Sequence, residues 1–415
     1  MKPDYDILIV GGGMVGMSLA CALSPLPLRV GIIERFALKS TQQSSFDDRS
    51  IALAYGTRKI FQTMGIWDVL DSVVMPIKKI HISERGQFGV TRLNAHDQGV
   101  DALGYVVESR VLGQVLQHRL ETETQAKMIC PADVLQVDVG DDVATVKIEH
   151  EGQEQTLTAS LIVAADGSQS VIRDQLSIQT ETREYGQTAL ISNVSTSIDH
   201  NNMAYERFTD TGPLALLPMR PVEDQGEQHN RCSLVWTLNN DQVDEYMGLS
   251  DEEFLTRLQQ RFGRRLGQFV HVGQRSSYPL SLIRVPESIQ SRVALIGNAA
   301  HTLHPVAGQG YNLGMRDVAV LAEVIASAVK AKSDIGDLQV LQHYAEWRRS
   351  DHNSVIAFTD GLVRIFTNPL FPVKFVRSAA LTLLDLVPAL KQGMARRTMG
   401  LAGRIPGLAR GIPIK

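Results

Sequence analysis

A chain of 415 residues, 44% hydrophobic and 21% charged, is long enough for about two or three globular units with a sizeable core. Its net charge of -4 and pI near 6.3, with no zinc finger or long basic tract, argue against a nucleic-acid partner. The three cysteines, Cys21, Cys130 and Cys232, are odd in number and far apart, which fits core fillers in a reduced cytoplasmic protein better than a disulfide scaffold or a metal cluster.

The first residues, MKPDYDILIVGGG, pass from a few polar positions straight into a strand over 6–10, leaving no room for a signal peptide. The turn that follows, G-G-G-M-V-G, has the G-x-G-x-x-G spacing in its strand–turn–helix context. Gly11 makes the tight turn, Gly13 lets the backbone approach a pyrophosphate, and Gly16 lets the helix close on the strand. A second strand over 28–33 ends at Glu34, about twenty residues on, where an acid can hold a ribose hydroxyl pair. Together these predict a bound dinucleotide, although Glu34 followed by Arg35 does not distinguish NAD from FAD.

Residues 40–48 are polar and read as a mobile segment, after which a helical pattern through Ile51, Leu53, Ile60 and Met64 places Arg49 near a helix start. Between 76 and 104 short extended pieces leave the nucleotide unit. A helix over 111–120, with Ser109 as its N-cap, brings the chain back. A strand pair turns around Gly140, and a buried strand over 161–165 stops at Asp166-Gly167. Residues 188–236 read as strands, with 221–230 as a surface loop, and 251–262 as an amphipathic helix.

The stretch ALIGNAAHTLHPVAGQGYNLGMRD, 294–317, reads as a strand ending at Gly297, a turn with Pro305, Gly308 and Gly310, and a helix. The backbone amides at Gly310, Tyr311 and Asn312 suit an anion, because a helix N-terminus carries unpaired N–H groups and a partial positive charge. Helices over 312–330 and 338–366 follow. After Pro369 the chain turns apolar and basic, which fits either a membrane or partner surface or a helix covering the core. The most lipid-like stretch, 370–390, is broken by Pro372, Lys374, Arg377, Asp385 and Pro388, so no uninterrupted spanning helix is expected. His301 and His304, three apart with no further ligand nearby in sequence, give no metal site.

Three segments together resemble the FAD-dependent aromatic hydroxylases: G-G-G-M-V-G with Glu34, Ala165-Asp166-Gly167, and G-N-A-A-H followed by His304-Pro305 and G-Q-G. More narrowly, D-D-R-S-I-A-L, A-Y-E-R-F-T-D-T-G-P-L-A-L-L-P-M and H-T-L-H-P-V-A-G-Q-G-Y-N-L-G-M-R-D are similar to the hydroxylases of ubiquinone biosynthesis. The resemblance implies an α/β fold: a discontinuous Rossmann-like FAD-binding domain over 1–75, 105–185 and 281–367. A substrate-binding β-sheet domain over 76–104 and 186–280 is interleaved with it, and 368–415 form a helical tail.

The resemblance also implies FAD, NADPH or NADH as a transient electron donor, O2 as co-substrate, and hydroxylation of a prenylated phenol through a flavin hydroperoxide. Gly11, Gly13 and Gly16 would meet the FAD pyrophosphate, and Glu34, with Arg35 beside it, the adenosine ribose. Arg49 and Arg110 would lie near the flavin and its phosphates, and Asp166 would bridge FAD and the nicotinamide donor. Gly297 and Asn298 stand where the family usually has Gly-Asp, so Asn298 keeps hydrogen-bonding capacity but not the charge. Gly308, Gly310, Tyr311 and Asn312 would face the pyrimidine end of the flavin, Pro305 would shape the pocket, and His304 is the nearest titratable group. Leu216 and Pro218 would wall the substrate pocket. The expected setting is cytoplasmic and peripheral at the inner membrane, with a lipid surface or other proteins of the pathway as partners of the tail.

Overall fold

Tyr5–Val10 is the central strand of the first sheet, and its apolar run is buried from Ile7 onward, as a strand covered on both faces must be. In this computed structural model residues 2–37, 49–224, 227–368 and 370–415 are described; the polar segment 40–48 and Pro369 lie outside them. Val30–Ile33 and Gln153–Ala164 flank the central strand in parallel, with Lys127–Ile129 and Val293–Leu295 outside them, also parallel. Helices Met14–Leu23, Ser109–Glu123 and Gln309–Ala331 bury Leu19, Leu112, Leu116 and Met315 against one face. The antiparallel pair Ala132–Val139 and Ala144–His150 helps to cover the other.

The second sheet has nine strands among the described residues and is mostly antiparallel. Glu181–Thr196, Glu227–Asn239, Gly212–Asp224, Met203–Thr209, Lys79–Glu84 and Val90–Asn94 lie side by side in that order. Leu190, Leu214, Leu216, Leu234 and Trp236 point to one face, where Phe254, Leu258 and Phe262 of helix Asp251–Phe262 cover them. That helix opens on a reciprocal capping box between Ser250 and Glu253, which satisfies two of its orphan donors. The other face turns inward: Phe208 stacks on Phe366 in a cluster that includes Val306, and Ala204 joins a cluster with Val106 and Ile77. A small antiparallel sheet, Ser50–Ala54, Gly104–Glu108 and Met75–Ile77, supplies Ile77 and Val106 to that contact.

Several local expectations change. Ser50–Ala54 is a strand paired with Gly104–Glu108, and the helix begins only at Tyr55, so Arg49 precedes a strand rather than a helix. Pairing with a neighbouring strand has overridden a local pattern that fits a helix as well. Ser109 is not a cap: the helix starts at Ser109 behind Glu108, with no side-chain cap, and the Ser109 N–H donates to the Arg49 carbonyl at 2.8 Å. Residues 221–224 and 227–230 are strand rather than loop, since the strands run on to Asp224 and resume at Glu227, pairing Val222 with His229. The expected boundaries at 185/186 and 280/281 fall within strands Glu181–Thr196 and Ser276–Arg284, which pair in the second sheet.

The tail is built into the body. After helices Phe371–Leu386 and Pro388–Thr398, the Gly56 N–H donates to the Met399 carbonyl at 2.8 Å and the Thr63 hydroxyl to the Leu408 carbonyl at 2.7 Å. Leu408, Ala409 and Ile414 lie in the core of the first sheet. Arg377 is buried against Glu84 of the second sheet and also donates to the carbonyls of Ile365, Phe366 and Asn368. Among the described residues no helix is long and apolar enough to cross a membrane.

Candidate functional site

The glycine-rich turn is fixed by contacts that leave no room for side chains. A Cβ on Gly11, at φ +107°, would stand 2.4 Å from the Ala165 carbonyl oxygen, and one on Gly16 would stand 2.0 Å from the Gly11 oxygen. Real Cβ atoms do not approach so closely, so the first helix can meet the strand tip only through glycine. Gly13 caps that helix with extended backbone. The buried Glu34 carboxylate accepts the Gly12 N–H at 2.7 Å and the Phe36 N–H at 2.9 Å. Burial raises its pKa against these donors. A carboxylate offers about four lone-pair positions, so acceptor capacity remains for a ribose. The Arg35 side chain is exposed and paired with Asp133 at 2.8 Å.

Asp166 follows the strand Gln153–Ala164, which runs beside the central strand, so it stands next to the glycine turn. Its Oδ2 accepts the Ile172 N–H at 3.3 Å, while its Oδ1 is buried with no partner among the described residues. Burial raises its pKa above the usual aspartate value, opposed by hydrogen bonds from Ser170 and neighbouring amides. A buried oxygen without a donor is costly, which makes it a reserved position for a hydroxyl or amide of a ligand.

Across the turn, Gly297 takes φ +57° and Asn298 is exposed on the short 3-10 turn behind it. Ala307 and Gly308 both have left-handed backbone, at φ 58°, and Gly308 caps helix Gln309–Ala331. Alanine is rarely found there, so this loop holds local strain beside a helix N-terminus. A Cβ on Gly310 would meet nothing within 4 Å, which leaves its backbone approachable.

The Asn312 side chain is fully engaged in structure. Its Oδ1 accepts from the Ala54 N–H and the Thr57 hydroxyl, and its Nδ2 donates to the Ala52 and Gly308 carbonyls, all at 2.7 Å. The Tyr311 hydroxyl is likewise buried and its ring packs on the first core.

Arg49 stacks over Tyr278 of the second sheet at 4.7 Å, bridging the two parts of the fold. Arg110, half exposed in the first turn of its helix, approaches Glu108 at 3.9 Å. His304 is fully buried, its Nδ1 accepting the Val306 N–H at 3.2 Å and Tyr185 edge-on to its ring at 5.3 Å. Burial lowers its pKa to about 4, so it is neutral near pH 7 with its proton on Nε2. Pro305 caps the short turn after it. Leu216 faces the core under helix Asp251–Phe262 and Pro218 shares its strand parity. The inward-facing side chains of this strand are therefore those one residue away, Ala215 and Leu217, because side chains alternate along a strand.

Sequence reading missed the ion cluster beneath this loop. Asp317 of helix Gln309–Ala331 is fully buried. Its Oδ2 accepts from His301 Nε2 at 2.7 Å and the Gly297 N–H at 3.1 Å, and its Oδ1 from Arg348 Nε and His352 Nε2 at 2.7 Å each. Asp351 pairs with both Arg348 and Arg316. Burial by itself would raise the Asp317 pKa, but His352, Arg348 and His301 hold it well below the usual range. His301, Asp317 and His352 sit close enough to suggest a metal. Four donors, one of them a guanidinium, already fill both carboxylate oxygens, so the cluster is a salt-bridged anchor for Gly297. The spacing of Arg348, Asp351 and His352 on one helix face was the signal available.

The crowded glycines, the reserved Asp166 oxygen and the helix N-terminus behind Gly308 fit an FAD molecule. A family model described as an FAD binding domain matches residues 4–359. The chain is 37% identical over 415 residues to ubiquinone hydroxylase UbiL of Rhodospirillum rubrum, covering 99% of this chain and 93% of that one. It is 29% identical to the 3-demethoxyubiquinol 3-hydroxylase of Escherichia coli, over 95% and 98% of the two chains. Among solved structures, p-nitrophenol 4-monooxygenase PnpA of Pseudomonas putida matches with a TM-score of 0.78, covering 97% of this chain and 100% of that one, at 18% identity. That last match is a likeness of fold.

Proposed function

We infer a substrate from one premise: this chain belongs to the FAD binding domain family and, within it, to the hydroxylases of ubiquinone biosynthesis. It is an FAD-dependent aromatic monooxygenase that uses NAD(P)H and O2. The substrate we propose is a 2-polyprenyl-6-methoxyphenol, converted to 2-polyprenyl-6-methoxy-1,4-benzoquinol. Full-length identity of 37% to a ubiquinone hydroxylase carries this reading. FAD, when bound, supplies the electron transfer from NAD(P)H and the activation of O2.

In this reading Gly11, Gly13 and Gly16 admit the pyrophosphate, Glu34 accepts from the ribose, and the reserved Asp166 oxygen accepts from the cofactor. The amides from Gly308 to Asn312 favour negative charge on the bound ring system. Phe208, Val306 and Phe366 form an apolar layer beside the His304-Pro305 loop that keeps water away from the reacting ring.

The test is NADPH oxidation and product formation by purified holoenzyme with short-chain 2-prenyl-6-methoxyphenol, set against the corresponding demethoxyubiquinol. Oxygen-dependent hydroquinone formation from the first supports the assignment. Turnover of the second alone would move the reaction to another ring carbon, as the name of the Escherichia coli relative describes for that enzyme. Oxidation without oxygen uptake would point to a reductase.

We also propose that the tail meets an anionic lipid surface. Leu370, Phe375, Val376, Leu383, Leu386 and Leu390 are each more than half exposed, and Phe88 from the second sheet adds its ring to Phe375 at 6.2 Å. Residues 370–415 contain eight Lys and Arg against the single acid Asp385, while the whole chain is at -4. An apolar face on a basic segment is the pattern of interfacial binding. Wild-type protein should co-sediment with phosphatidylglycerol-containing vesicles. Phe375→Ser with Leu386→Ser should weaken this by about tenfold or more, since each side chain is worth about 1.5–3 kcal/mol when buried. Unchanged sedimentation would remove this surface from consideration. Substitution is the appropriate test because truncation would strip core residues such as Leu408.

A further inference from the structure

The second sheet contains a carboxylate that none of the preceding roles uses. Glu206 lies in strand Met203–Thr209 and pairs with Ala215, which pairs with Val235, which pairs with Ile191. All four retain some accessible surface although they lie on adjacent inner strands. Their chain neighbours Tyr205, Leu214, Leu216, Leu234, Trp236 and Leu190 are buried under helix Asp251–Phe262. By strand alternation the row therefore faces the opposite way, towards the rest of the fold. Two residues on, Phe208 shares this face and belongs to one apolar cluster with Val306 of the His304-Pro305 loop, and two residues back Ala204 belongs to one with Val106. Glu206 thus lies between the loop assigned to the flavin and the small sheet that follows Arg49.

Its Oε1 is buried and has no hydrogen-bond partner among the described residues. A lone carboxylate on an otherwise apolar row costs stability, and such groups are retained where a ligand supplies the missing donor. We propose that Glu206 is the catalytic residue that accepts the proton of the substrate's phenolic hydroxyl. The phenol O–H bond breaks, the proton moves to a carboxylate oxygen of Glu206, and the electron pair stays on the phenolate oxygen. The ring is thereby made richer in electrons for attack by an electrophilic oxygen. Burial raises the Glu206 pKa to about 7, which suits a base working near neutral pH. The role rests on the hydroxylase reading above.

Among the other ionisable groups on the elements around it, Arg231, on the same face of strand Glu227–Asn239, is paired with Glu108 at 3.3 Å. His81 and Arg207 lie one residue out of phase, on the opposite face of the sheet. Glu84 is tied to Arg377, and on helix Leu338–Thr367 Asp360 is tied to Arg364 and Arg183. Lys79 and Arg220 are exposed and lie away from the row in their strands.

The experiment uses FAD-loaded protein and short-chain 2-prenyl-6-methoxyphenol, without NADPH, and follows ionisation of the bound phenol by ultraviolet difference spectra across pH. Wild type should show bound phenolate at least one pH unit below the point at which the free phenol ionises. Glu206→Gln should move that midpoint up by at least one unit and lower product formation about 100-fold, within the range for general base catalysis. FAD content and the rate of flavin reduction should stay as in wild type. Glu206→Asp, which keeps a carboxylate, should restore part of the ionisation signal. An unchanged midpoint in Glu206→Gln, or product formation within about threefold of wild type, would overturn the role while leaving the hydroxylase reading intact. Wild type that gives no phenol-dependent signal and no product would overturn the substrate reading and this role with it.

Discussion

Asp317→Asn should lower stability by about 3–5 kcal/mol, the usual loss when one partner of a buried ion pair is removed. The substitution keeps the shape of the side chain but removes its charge, leaving the buried Arg348 guanidinium without its Asp317 partner at 2.7 Å. The new amide group would also point donors at histidine nitrogens that now donate to Asp317. Because the Gly297 N–H donates to Asp317, the loop carrying Asn298 should loosen as well, and bound FAD should fall. Thermal melts and flavin absorbance of the purified variant check this, and a melting temperature within about 1 °C of wild type would refute it.

The cluster also sets the direction of acid lability. Burial lowers the His352 pKa to about 4, against the attraction of Asp317, and burial lowers that of His304 to about 4 as well. In the unfolded chain both titrate near 6.5. As pH falls from 6.5 towards 4 the unfolded state binds protons that the folded state refuses, so stability decreases across that window. The depressed Asp317 pKa adds a contribution that is present above its unfolded value and lost as pH falls below it.

Gly16→Ala should yield protein without flavin. The new Cβ would stand 2.0 Å from the Gly11 carbonyl oxygen, a backbone atom that can move only if the strand tip or the helix moves. Overpacking of this kind costs about 1–3 kcal/mol or more, so FAD affinity should fall by about 100-fold. Gly361→Ala is the control: its Cβ would meet nothing within 4 Å, and within helix Leu338–Thr367 alanine is favoured by up to about 1 kcal/mol. Stoichiometric FAD in purified Gly16→Ala would mean that the turn does not cradle the pyrophosphate.

The sequence by itself determined the nucleotide half of the molecule. The apolar run into Gly11, the spacing to Gly13 and Gly16, and Glu34 at the end of the second strand are short-range features, and each is required by a local contact. The amphipathic helix Asp251–Phe262 was legible for the same reason, since its period and its cap lie within one segment. Only the tertiary structure decided the rest. Whether 50–54 form strand or helix depended on a partner strand more than fifty residues away. Which of Leu216 and Leu217 lies under helix Asp251–Phe262 depended on where that helix packs, because alternation fixes two faces but not which one it covers. Asp317, His352 and Arg348 acquire their meaning from two helices meeting under Gly297, and Asn312 from four donors and acceptors converging on one amide. Such charges are costly to bury unless paired, and the pairing is long-range, so the spacing of Arg348, Asp351 and His352 on their helix did not by itself name Asp317 as the partner.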